Sequence, residues 1–165
     1  MALTLTPAAL AMPADAAEPA AGATPPIPAT PVATPYRDAL VRELNRVRAR
    51  RALPSVRFDR RLSGGATAHS RDMVHKRYFA HGTWTTRVRA SAAGADAVGE
   101  VLGWLVVDDP TEEATWLVRQ WLRSPPHRAV LLERGFGRVG IGRVTNAEAD
   151  GRVTATYTAD FASVG

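Results

Sequence analysis

Leu40, Val41, Leu44 and Val47 recur at helical spacing, and Pro35 sits where a helix can begin. The pattern predicts a first helix over 36–51, ended at Leu53-Pro54, with Val56 and Phe58 as a short extended contact after it. Asp59 can cap a second helix. Its apolar face is marked by Leu62, Ala66, His69, Met73 and Val74, running to Arg77. Gly64-Gly65 weakens that helix, since glycine in a helix interior costs up to ~1 kcal/mol relative to alanine. A short third helix is expected over 84–92, stopped by Gly94.

Val98 to Val107 is apolar and rich in β-branched residues, which predicts buried extended chain. Asp109-Pro110-Thr111-Glu112 then starts a helix: Asp caps, Pro takes the first position, and Glu completes a capping box. That helix should run to Leu122, anchored by Trp116, Leu117 and Trp121. Ser124-Pro125 restarts a helix over 125–133, ended by Gly135. The period then changes. Val139, Ile141 and Arg143 alternate with glycines, and Val153, Ala155, Tyr157, Ala159 and Phe161 alternate with polar residues. With Asn146 to Gly151 as the turn, this predicts a β-hairpin with one buried face. Helices followed by a terminal antiparallel pair make the fold class α+β, with helices packed on a small sheet.

Residues 1–35 lack any such period. They are Ala-, Pro- and Thr-rich and hold eight of the 12 prolines. Such a stretch cannot bury enough apolar area to offset its ordering entropy, so it reads as a linker preceding one domain over 36–165. Met1 to Met12 is apolar apart from threonine, and Ala9-Leu10-Ala11 fits a small-x-small cleavage site. This points to the remnant of a signal peptide, and so to an exported protein of the cell envelope or exterior. No stretch reaches the ~20 apolar residues of a membrane span.

Charge and composition change the picture little. The net charge is +5, and residues 1–35 carry two acids and no base, so +7 rests on the remainder. Lys76 is the only lysine; the rest of the positive charge is arginine. A basic surface favours anionic partners. Nucleic acid is set aside because aromatic and basic residues do not interleave along a strand. With no cysteine, thiol nucleophiles, thiolate metal ligands and Fe–S clusters are excluded.

Four histidines carry the candidate chemistry. His69, on an apolar helix face, is expected to be a hydrogen-bonded core residue, and His75 a solvated one at a helix end. His81 lies in the aromatic loop Tyr78-Phe79-Ala80-His81-Gly82-Thr83-Trp84. His127 lies in the first turn of a helix, where a charged imidazole would oppose the dipole. Glu100 sits among glycines and apolar residues and needs a partner if buried. These three can hydrogen-bond one another and hold a cleft, or serve a ligand.

The order of several segments resembles the CAP superfamily of cysteine-rich secretory, antigen 5 and pathogenesis-related class 1 proteins, in its bacterial form. The segments are Leu44-Asn45-Arg46-Val47-Arg48, Leu53-Pro54, Phe58-Asp59, Ala68-His69-Ser70-Arg71-Asp72-Met73 and Tyr78-Phe79-Ala80-His81. They continue with Gly99-Glu100, Trp121-Leu122-Arg123-Ser124-Pro125-Pro126-His127-Arg128 and Val139-Gly140-Ile141-Gly142. The resemblance implies an α-β-α sandwich with a central cleft whose two histidines and two glutamates can hold a divalent metal such as zinc. His81, Glu100 and His127 match three of the four. Ser124 falls near the second glutamate and cannot replace a carboxylate. Val101 and Val130 stand where the family has asparagine. The resemblance further implies secretion, and with the second glutamate missing the leading reading is a non-catalytic extracellular binding module for a lipid, a sterol-like molecule, a cell-wall glycan or a protein. The alternative is a metal-dependent hydrolase of peptide or wall substrates, with metal-bound water as nucleophile.

Overall fold

The computed structural model describes residues 34–165, so the expected linker and signal remnant lie outside the described residues apart from the last two linker positions. The elements follow in the order α1 (Thr34–Ala49), β1 (Arg57–Phe58), α2 (Arg60–Lys76), α3 (Trp84–Ser91), β2 (Val98–Val106), α4 (Pro110–Arg123), α5 (Pro125–Leu132), β3 (Phe136–Ala147) and β4 (Val153–Ser163). The fold is α+β, with all the expected helices present. The first begins two residues earlier than its periodicity indicated.

The sheet order is β1-β3-β4-β2. The three long strands are antiparallel, and β1 adds two residues parallel to β3. One sheet face packs on α1, α4 and α5 through Leu40, Leu44, Leu117, Trp121, Leu131, Val101, Ile141, Tyr157 and Phe161. A smaller cluster on the other face joins Leu62 of α2 and Val88 of α3 to Ala162. The hairpin therefore has two buried faces, which corrects the single buried face expected from its alternation. Thr154, Thr156, Thr158 and Asp160, which alternate along the chain like an outward polar row, are all buried. Burying a polar row is tolerable only where it finds partners. Ser70 of α2 supplies one, donating to Thr158 across 2.9 Å.

The glycines of β3 explain how α2 comes so close. A Cβ on Gly140 would collide with the Leu62–Ser63 backbone, and one on Gly142 with the Ala66–Thr67 backbone. The helix backbone thus lies directly on the strand, a contact that only glycine permits.

Two further expectations need correction. Trp116 is not an anchor of α4; it is exposed, while Leu117, Val118 and Trp121 face the core. The reciprocal arm of the α4 cap comes from Glu113 rather than Glu112. Asp109 accepts from Thr111, and Glu113 accepts from the Asp108 backbone N–H at 3.0 Å. Glu113 is buried and also holds Arg143 and Tyr157. A second buried arginine, Arg48, ties the end of α1 to four carbonyls, those of Pro54, Leu131, Glu133 and Phe136.

Candidate functional site

His81 reaches its position through the end of α2. Arg77 takes the left-handed conformation and caps the helix, and the Tyr78 N–H closes back on Met73. The chain then turns across the helix face, where His69 Nε2 lies 3.1 Å from the Ala80 carbonyl. Only a protonated Nε2 can donate there, so His69 carries its proton on that nitrogen. Burial, reinforced by the charge of Arg87, lowers its pKa. His69 is thus the buried, hydrogen-bonded residue expected, and its bond holds the loop that carries His81.

Glu100 lies on β2, its side chain fully buried. His81 Nδ1 donates to its Oε1 at 2.7 Å, and Arg87 of α3 pairs with its other oxygen. Burial alone would raise the Glu100 pKa. The hydrogen bonds from His81 and Arg87 outweigh it and hold the carboxyl below its usual range. The bond at Nδ1 also fixes the His81 tautomer and leaves Nε2 free.

His127 comes from the other helical layer, in the first turn of α5. Its ring centroid lies 6.3 Å from that of His81, at an interplanar angle of 54°. Burial, and then the proximity of His81, lower its pKa, so it is neutral at pH 7. Ser124 caps α5, but its side chain makes no capping bond. Pro125 and Pro126 have no N–H to offer it, which leaves the His127 N–H as its one capping partner in the first turn. The structure thus brings His81, Glu100 and His127 together at the β2 edge and leaves Ser124 at the α4–α5 junction. On β2 the Trp121 indole N–H donates to the Leu102 carbonyl at 2.6 Å.

Two residues of this site escaped the sequence reading. Asp160 stands opposite Glu100 in register on β4 and is fully buried. Arg87 spans both, with 3.3 Å to Asp160 Oδ2, while Asp160 Oδ1 has no partner. One guanidinium between two buried carboxylates leaves a negative charge in excess. Burial and the Glu100 charge push Asp160 up to about 8, so it holds a proton at neutral pH. An acid in a strand of alternating threonines looked like solvent-facing chain. Its only signal was the buried row it belongs to, which a single strand does not reveal.

The donor set for a metal is narrow. Both Glu100 oxygens are engaged, so the imidazoles of His81 and His127 remain. Among the described residues no group of three or more His, Cys, Asp or Glu side chains is arranged to hold a metal ion. The implied four-residue metal site is therefore incomplete in its donors.

A sequence model of the cysteine-rich secretory protein family, the CAP domain, matches residues 41–161. The chain belongs to that family. Similar solved structures include an outer surface protein of Borrelia burgdorferi, at 17% identity and a TM-score of 0.67, covering 83% of this chain and 99% of that one. An extracellular protein of Bacillus anthracis containing an SCP domain aligns at 26% identity and a TM-score of 0.60, over 77% of this chain and 40% of that one. Among curated proteins, the uncharacterized membrane protein YlbC of Bacillus subtilis is 28% identical over 103 residues, 59% of this chain. The match spans only 28% of that relative's length. The CAP domain here shares its α+β layering with these structures. No helix among its described residues is long and apolar enough to cross a membrane.

Proposed function

We propose that this CAP domain is an exported binding module without catalytic activity, whose cleft around His81, Glu100 and His127 receives an extracellular ligand. The candidate ligand classes are a lipid, a sterol-like molecule, a cell-wall glycan and a protein. Extracellular and outer-surface relatives support export. One observation carries the non-catalytic reading. Glu100 and His81 form the orienting half of a nucleophile-activating array, yet no serine or threonine hydroxyl among the described residues bonds to the imidazole. The pair is held as a fixed polar wall rather than as a base.

The opposed imidazoles of His81 and His127 are proposed as a two-donor docking point for a divalent cation such as zinc, with water or ligand completing its coordination. A metal-dependent hydrolase would need a third protein donor or a general base, and Glu100 is already committed to His81 and Arg87. Calorimetric titration of the full chain with zinc, beside a His81→Ala/His127→Ala double variant, tests the reading. The expected result is weak binding lost in the double variant, with no peptide or wall-substrate turnover in either protein. Zinc-dependent turnover that disappears in the variant would overturn it.

A further inference from the structure

One side of α4 is left uncovered by the rest of the described fold. Leu117 and Trp121 face the sheet over Gly103 of β2, and Ala114 and Thr115 share a groove with Ala39 and Arg42 of α1. The remaining side bears Glu112, Trp116, Arg119 and Arg123, all exposed. Steps of four, three and four residues keep them in one stripe along the helix. Trp116 is 44% exposed in the middle of it. Glu112, Arg119 and Arg123 form no ion pair among the described residues. β2 is an outer strand of the sheet, so the stripe is open to approach from the side.

The stripe is acidic at one end, aromatic in the middle and basic at the other. The helix dipole accounts for an acid in the first turn and a base in the last. It does not account for Arg119, which stands one turn from the like charge of Arg123, an arrangement that destabilises a helix on its own. Nor does it account for an indole left in water, a side chain whose burial removes more apolar area than most.

We propose that this stripe is the contact between two copies of the chain, joined about a two-fold axis with their α4 helices antiparallel. In such a contact residue i meets j and j meets i. Glu112 then meets Arg123 of the second copy, and Trp116 meets Arg119 of the second copy, each pair occurring twice. Both pairs fit one register, because each is centred between positions 117 and 118. A parallel approach would set acid on acid and base on base, so the charges select the antiparallel one. A guanidinium over an indole adds cation–π attraction, and Trp and Arg are the side chains that most often carry interface energy. A single helix face is smaller than the about 800 Å² per partner of a standard interface, so the dimer is of the weak, reversible kind.

Sedimentation of the full chain from about 10 μM to about 1 mM tests this. Wild type should pass from monomer towards dimer across that range. Glu112→Arg alone and Arg123→Glu alone each oppose like charges, and each should weaken association about tenfold or more. An equimolar mixture of the two variants should associate again, because every mixed pair sets arginine against glutamate. The Glu112→Arg/Arg123→Glu double variant should associate for the same reason. Asp96→Arg, an equal change of charge before β2 and away from the stripe, should leave association unchanged. Unfolding cannot imitate a mixture that regains what each component lost. Wild type that stays monomeric throughout, a mixture no more associated than its components, or an equal loss in Asp96→Arg would overturn the assignment.

Discussion

Replacing Asp160 by Asn should change how stability depends on pH while changing stability at pH 6.5 little. The wild-type carboxyl has a folded pKa of about 8 against an ordinary value of 3.8. Between those values the folded chain holds a proton there and the unfolded chain does not. Stability from this group is thus fully present below the unfolded value and is lost as pH rises through the folded one. His69 and His127 have lowered pKa values, so they act with the opposite sign, and their effect fades over about one pH unit above their ordinary value of 6.5. They are common to both proteins, so the difference between wild type and variant from pH 6.5 to 8.5 isolates Asp160. At about 1.36 kcal/mol per pH unit for one proton, levelling off near the folded pKa, the wild type should lose about 2 kcal/mol relative to the variant across that window. The Asp160→Asn variant has no proton to lose at this position, and its new amide can face Glu100 while the carbonyl faces Arg87. The variant should therefore lack this loss, and should lie within about 1 kcal/mol of wild type at pH 6.5. Urea denaturation at half-unit pH steps measures both. Parallel profiles for the two proteins would refute the argument. So would a variant several kcal/mol less stable at pH 6.5, because that would mean Asp160 is charged and paired with Arg87.

Gly142→Ala should destabilise by about 3 kcal/mol, because its Cβ meets the α2 backbone, which cannot yield without lifting the helix. Gly64→Ala, on the same helix but in open space, should stabilise by about 0.5–1 kcal/mol. Opposite signs in urea melts check both; a tolerated Gly142→Ala would break the close-packing account. Glu113→Gln should cost about 3–5 kcal/mol, since it leaves the buried Arg143 without its counter-charge. Asp150→Asn, which breaks the exposed pair with Arg152, should leave the urea midpoint unchanged, and a comparable loss in the two would refute the burial argument.

Helix existence was legible wherever a stripe and a cap coincided. Asp59 before Leu62 and Asp109 before Pro110 marked the starts of α2 and α4 because capping is a local contact between a side chain and nearby N–H groups. His81, Glu100 and His127 stood out as candidates from order and spacing, as pieces of a family pattern, and the structure sets His81 beside the other two. Arg87 was not, because an arginine on a short helix looks solvated until a buried partner is known. Asp160 was not, because β4 on its own gives no sign of a helix covering its second face.

The sequence by itself therefore determined the element order, the α+β class and the family. These rest on local propensities, on periodicity and on residue order, all of which are written along the chain. Only the tertiary structure decided which polar residues are buried and which charges meet. It laid α2 on the glycines of β3, turned the row from Thr154 to Asp160 inward, and set one arginine between two carboxylates. Burial is a property of layers, and the electrostatic consequence of a charge depends on neighbours that lie far away in the chain.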